Sequence, residues 1–168
     1  MDKCCNHTSG HNHQPQEIFL LRHKIILLFA GLLFIFALRP FIAKQNCKRG
    51  DDFFRIDKTA YALKQYQKAI FLTPDFTYAY NELALLYEKM GRTEEAITVF
   101  EKTFTINPDN EMGYVELGRI YGLQRKYLKA EACFQKTLVI NPHNKLAQAW
   151  ITICTIGKNK DKKGRASP

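Results

Sequence analysis

A chain of 168 residues with 46% apolar and 12% aromatic side chains has material for a core of roughly 100 residues, which excludes a wholly disordered protein. The net charge of +9 suggests a nucleic-acid partner only until it is divided: residues 1–50 carry +5, residues 51–144 carry −1 and residues 145–168 carry +5. A nucleic-acid reader places its basic residues on the folded surface, so basic ends around a near-neutral middle point to flanks beside a membrane, with no nucleic acid.

Residues 1–17 are polar and broken by Gly10 and Pro15, and no stable element is expected there. Cys4, Cys5, His7, His11 and His13 cluster in this segment, and thiolate and imidazole are the usual ligands of Zn²⁺, Cu or Ni²⁺. The spacing matches no standard finger, so adventitious affinity is the better expectation, and a metal-carrying N-terminal segment with a docking module behind it stays as an alternative. No resident cofactor is expected.

Residues 18–43 follow as an apolar segment whose centre, 25–38, is fourteen residues without a charge. That centre is short of the roughly 17–25 apolar residues a spanning helix needs. The flanks lengthen it, because Phe19, Leu20, Leu21, Phe41, Ile42 and Ala43 are apolar and Arg22, Lys24 and Arg39 can reach the headgroups. Three readings compete: a retained single-pass anchor, a cleaved signal peptide leading to a secreted or periplasmic protein, and a buried soluble helix. Pro40, Phe41 and Ile42 stand where a small-x-small cleavage site is wanted, which favours retention. Arg22 and Lys24 precede the segment while Arg39, Lys44, Lys48 and Arg49 follow it, a bias toward a cytoplasmic C-terminal region.

From residue 43 onward the chain repeats itself. Pro74, Pro108 and Pro142 lie 34 residues apart, in turns reading Leu-Thr-Pro-Asp, Ile-Asn-Pro-Asp and Ile-Asn-Pro-His. A fixed period in this range signals stacked supersecondary units. With each proline at position 32, the units are 43–76, 77–110 and 111–144. Phe53, Tyr87 and Tyr121 then share position 11; Ala62, Ala96 and Ala130 position 20; Tyr66, Phe100 and Phe134 position 24. Tyr80 and Tyr114 fall at position 4, followed by Leu83-Ala84 and Leu117-Gly118 at positions 7 and 8.

Over about 100 residues this pattern resembles the tetratricopeptide repeat family. The resemblance implies an all-α solenoid of about three helix-turn-helix units, each burying its apolar face on a neighbour. The first unit departs from the pattern, with Asn46 and Arg49 where an aromatic and Leu belong, so its first helix is poorly matched and merges with the membrane segment. Gly50, Ala84 and Gly118 are expected where the two helices of a unit approach most closely. Asp75, Asp109, Thr59 and Thr93 read as N-caps and Gly91 as a helix C-terminus. Residues 145–156 are expected to cap the array through Leu146, Ala149, Trp150 and Ile153, and residues 157–168 to form a basic disordered tail.

The resemblance also implies a groove lined by first helices at positions 2, 5, 9, 12 and 13. These are Lys44, Cys47, Asp51, Phe54 and Arg55; then Tyr78, Asn81, Leu85, Glu88 and Lys89; then Met112, Val115, Arg119, Gly122 and Leu123. Family members that clamp chaperone tails carry basic residues at positions 2 and 6 of the third unit; here Met112 and Glu116 stand there, which disfavours that ligand. The expected function is a membrane-anchored scaffold or adaptor that binds a protein or peptide, with self-association open. Enzymatic activity is not expected: the repeats lack serine, and Cys133, the one thiol that could pair with His143, reads as core.

Overall fold

The computed structural model describes the backbone of residues 15–166 and the side chains of residues 21–162, so Cys4, Cys5, His7, His11 and His13 lie outside the described residues. Seven helices and no strand occur among the described residues: α1 Pro15–Arg55, α2 Thr59–Leu72, α3 Thr77–Lys89, α4 Thr93–Ile106, α5 Glu111–Leu123, α6 Tyr127–Ile140 and α7 Lys145–Ala166. Contacts divide the chain into two units, Met1–Arg39 and Pro40–Pro168. In the first, the side chains of residues 21–39 are all exposed, and Arg39 lies over the Phe36 ring at 4.5 Å. Among the described residues one helix, Leu21–Arg55, is long and apolar enough to cross a membrane.

The second unit is an α-solenoid of paired helices. Its core begins at Ala43, which is fully buried together with Cys47, and the last turns of α1 act as the first helix of the first pair. Helix α1, Pro15–Arg55, thus contributes residues to both units, with Pro40 inside it. Within each pair the turn has the same hydrogen bonds. Arg92 N–H donates to Tyr87 O (2.8 Å) and Gly91 N–H to Glu88 O (2.9 Å), and the same two bonds recur at Lys58/Asp57 and Lys126/Arg125. This is the Schellman closure of a helix, which needs a left-handed residue. Asp57 (φ 61°), Gly91 (φ 75°) and Arg125 (φ 58°), 34 residues apart, occupy that place, and only one of the three is glycine.

The caps differ from expectation. Lys58 and Arg92, not Thr59 and Thr93, are the N-caps, because the residue closing one helix also opens the next. After the turn prolines the caps are Phe76 and Asn110, one residue beyond Asp75 and Asp109. The aspartates are used within the turn, where the Asp75 and Asp109 carbonyls accept from Thr77 and Glu111 N–H. Asn110 caps α5 by accepting from Gly113 N–H at 3.2 Å.

Pairs close through a small residue on the first helix and an aromatic ring on the second. Gly50 faces Tyr66 and Gly118 faces Phe134; a Cβ added at Gly118 would lie 2.8 Å from Phe134 Cζ. Ala84 and Phe100 hold the corresponding places, both fully buried. Successive pairs stack through further aromatics, such as Phe104 on Tyr114 with centroids 3.9 Å apart and planes within 4°.

Helix α7 keeps the 34-residue register and stands as the first helix of a fourth unit. The face that seals the array is Ala147, Trp150, Ile151 and Cys154, with Trp150 stacked on Phe134 at 5.6 Å. Leu146, Ala149 and Ile153, expected in that role alongside Trp150, are exposed. Where a second helix would pack, α7 presents the exposed Thr152 and Thr155. The helix also continues past Ile156, the expected end of the cap, because Gly157 sits against the Tyr127 ring and Lys158 pairs with Glu131 at 2.5 Å.

Two substitutions test this account through urea unfolding. Gly118→Val should lower stability by about 2 kcal/mol by forcing the Phe134 ring out of place. Arg125→Gly should raise it by about 0.5 kcal/mol, the left-handed strain relieved exceeding the chain entropy added.

Candidate peptide-binding groove

The first helices of successive pairs lie side by side. Helix α3 contacts α5 and α5 contacts α7, while Asp51, Phe54 and Asp57 at and just beyond the C-terminal end of α1 bond to α3 side chains. Their shared face holds an open cavity of about 440 Å³ lined by Phe54, Leu85, Glu88, Lys89, Glu116 and Arg119.

Position 5 is not part of it. Cys47, Asn81 and Val115 are buried, because this position points between neighbouring units. The Asn81 and Asn110 amides satisfy each other at 3.1 and 2.8 Å, and Asn110 also donates to Thr103 Oγ1 at 3.1 Å, so the Asn81 amide is already engaged. Gly122 is covered by the Trp150 ring. Tyr78, Met112 and Leu123 are exposed at 43%, 40% and 65%, while Leu85, Glu88 and Arg119 are half-buried and line the cavity. Lys44, Arg55 and Lys89 are exposed.

Three cations of this face, Arg119, Lys89 and Arg55, are engaged. Arg119 bonds Glu88 at 2.5 Å and Glu116 at 2.8 Å. Lys89 binds Asp57 at 2.8 Å, donates to the Phe54 carbonyl at 3.2 Å and lies over the Phe54 ring. Arg55 approaches Asp52 at 3.9 Å.

Carboxylates absent from the expected set sit beside them. Asp51 accepts from Tyr66 at 2.9 Å and Tyr78 at 3.1 Å. Glu82 is half-buried next to it. Burial first, then the charge of Asp51 on α1 and, more weakly, of Glu116 on α5, raise Glu82 to about 7, with the nearby Tyr78 hydroxyl opposing. The Tyr66 and Tyr78 hydroxyls are raised as well, mainly by burial. Position 6, where Glu82 and Glu116 both fall, carried this signal in the sequence. A second omission is the continuation of the groove onto α7, where Leu146, Ile153 and Ile156 are exposed at 50%, 48% and 52%. They occupy positions 2, 9 and 12 of the fourth register.

The thiols of the repeats are poor nucleophiles. Burial raises Cys133 to about 11, helped by Glu101, and Cys47 to about 12, helped by Asp51 and Glu82. No group of side chains suited to a metal ion occurs among the described residues.

Family models described as "TPR repeat" and "Tetratricopeptide repeat" match residues 50–91, 77–110 and 113–144, together more than half of the chain. The chain belongs to the tetratricopeptide repeat family. Similar solved structures include the Arabidopsis OM64 tetratricopeptide domain, at 20% identity and TM-score 0.65, covering 70% of this chain and 97% of that one. The first tetratricopeptide domain of Spaghetti (RPAP3), bound to the HSP90 peptide SRMEEVD, matches at 17% identity and TM-score 0.67, covering 71% and 95%. The TPR2B domain of yeast Sti1, in its complex with pHsp70, matches at 16% and 0.63, covering 71% and 98%. At these identities the likeness is one of fold. No curated protein matches the chain.

Because Glu82 titrates in the folded tetratricopeptide array above its ordinary value of 4.5, its contribution favours the fold below pH 4.5 and is lost as pH rises through about 7. Glu82→Gln should therefore be more stable than the wild type at pH 8, by about 1 kcal/mol after allowing for solvent screening of a half-buried group. The difference should shrink toward pH 5; urea midpoints at the two pH values measure it.

Proposed function

We propose that this protein is a membrane-anchored adaptor whose groove, formed by α1, α3, α5 and α7, holds a segment of another protein. The observation that carries this reading is the exposure of large apolar side chains along one face of a folded array: Met112, Leu123, Leu146, Ile153 and Ile156, next to the open cavity. Such a face, rimmed by charged groups, marks an interaction site more often than a bare surface. Membership of a repeat family whose solved relatives include domains holding an HSP90 peptide or pHsp70 supports a peptide or protein as the ligand.

The anchor supplies the second half of the reading. Residues 21–42 are exposed throughout, including Leu27 and Leu33 at 71% and 70%, a surface suited to lipid. Tethering would confine the groove to the bilayer and raise its effective concentration for a partner on the same membrane. The basic residues after the segment favour the cytoplasmic side for the repeats.

Two measurements on the full chain in native membranes test the two halves. Retention after alkaline wash is expected; release, or a mature N-terminus beyond Leu38, would replace the anchor with a cleaved leader. A Leu123→Asp, Ile153→Asp double variant changes only exposed side chains and should keep its fold by circular dichroism. It should lose at least about tenfold in capture of a membrane partner held by the wild type, the cost of roughly 1.4 kcal/mol; equal capture would remove the groove as the working surface.

A further inference from the structure

We infer that the groove selects a basic partner: a segment of another protein whose lysine or arginine side chains meet Glu82 and Glu116 while its apolar side chains rest on Leu123, Ile153 and Ile156. This rests on the groove being the working surface and adds the chemistry of what it holds.

Two independent features of the face lead there. The first is its sign. Asp51, Glu82, Glu88 and Glu116 come together on α1, α3 and α5, and Arg119 is the one cation bonded among them, shared between Glu88 and Glu116. Lys89, which also lines the cavity, is paired with Asp57, and Arg55 approaches Asp52. Lys44 lies seven residues, about 10 Å, back along α1 from Asp51. An acidic segment would bring further negative charge onto carboxylates that already repel one another, whereas a cation relieves that repulsion in a half-buried setting where it counts more than in water. The second feature is the apolar stretch on α5 and α7, which continues the same repeat positions beyond the acidic part and gives a partner's apolar side chains an anchor. A segment carrying both kinds of side chain satisfies the whole face; a purely basic polymer or a purely apolar one satisfies half.

The pairing is coupled to a proton. Glu82 faces Asp51 and Cys47 on α1, Tyr66 on α2, Tyr78 on its own helix and Glu116 on α5, and it is raised to about 7 in this company. A bound ammonium or guanidinium favours the ionised form, so binding releases the proton and strengthens as pH rises. A partner that ignored Glu82 would show no such dependence.

The test uses the full chain in a nonionic maltoside micelle and two fluorescent peptides of identical leucine pattern, one with lysine and the other with glutamate at every polar position. Comparing wild type with variants in the same detergent cancels partition into micelles. The lysine peptide should bind at least tenfold more tightly than the glutamate peptide and weaken with added salt. Its affinity should rise about tenfold from pH 6 to pH 8, the change expected for one released proton with a free value near 7. Glu82→Gln should flatten the pH profile, and Leu123→Asp with Ile153→Asp should weaken binding at both pH values. If the glutamate peptide binds as tightly or better and is lost in the apolar variant, the groove stands and its preference for basic partners is overturned. Indifference of both peptides to every variant removes the groove reading itself. A doubled protein mass in sedimentation, abolished by neutralising Lys158, Lys160 and Lys162, would make the occupant a second copy of this chain and overturn a foreign partner.

Discussion

The close approach of paired helices at one small residue per unit is the constraint on which the array depends. Gly50, Ala84 and Gly118 let a ring on the opposite helix, Tyr66, Phe100 or Phe134, lie against the backbone. With the helices held that near, Ala62, Ala96 and Ala130 are also driven to complete burial and the turn between them shortens to a single Schellman closure. The same shortness fixes where the first helices stand relative to one another, and so which positions form a groove. A large side chain at Gly118 would therefore disturb the face formed by the first helices as well as the pair that contains it.

Much of this was legible before any coordinates, because a repeated sequence states the same packing rule several times. The period of 34, the small residues at position 8, the rings at position 24 and the role of Trp150 all carry over directly into the structure. The cap register was not legible, since Leu146 and Ile153 look like core residues by helical spacing alone. What decides their exposure is that α7 inherits the facing of a first helix, whose positions 2 and 9 look outward to the groove. The N-caps depart from propensity for a related reason: Lys58 and Arg92 serve two helices at once, a role that Thr propensity does not reveal.

The site was less legible than the fold. Asn81 reads as a hydrogen-bonding ligand residue until Asn110, 29 residues away, is seen to occupy its amide. Glu82 attracts no notice on its own, since its character comes from Asp51 and Glu116 in the units before and after it. Single-helix patterns report what a residue turns toward the core, while the electrostatics of a solenoid face are set by neighbours about one repeat away, and only the register brings them together.

The three thiols of the repeat array give this architecture an internal clock. Cys47 is buried in the first pair, Cys154 on the inner face of α7, and Cys133, partly buried, lies on α6 of the third pair. In a quasi-one-dimensional stack, each segment can open on its own before the whole unfolds. Each sulfur becomes reactive only when its own stretch of the stack opens, so the rates at which a small alkylating reagent reaches them would rank the segments by how often each breathes. Fraying on the α7 side of the stack would register at Cys154 first, while Cys47, in the last turns of α1, would record how often the opposite side of the stack opens.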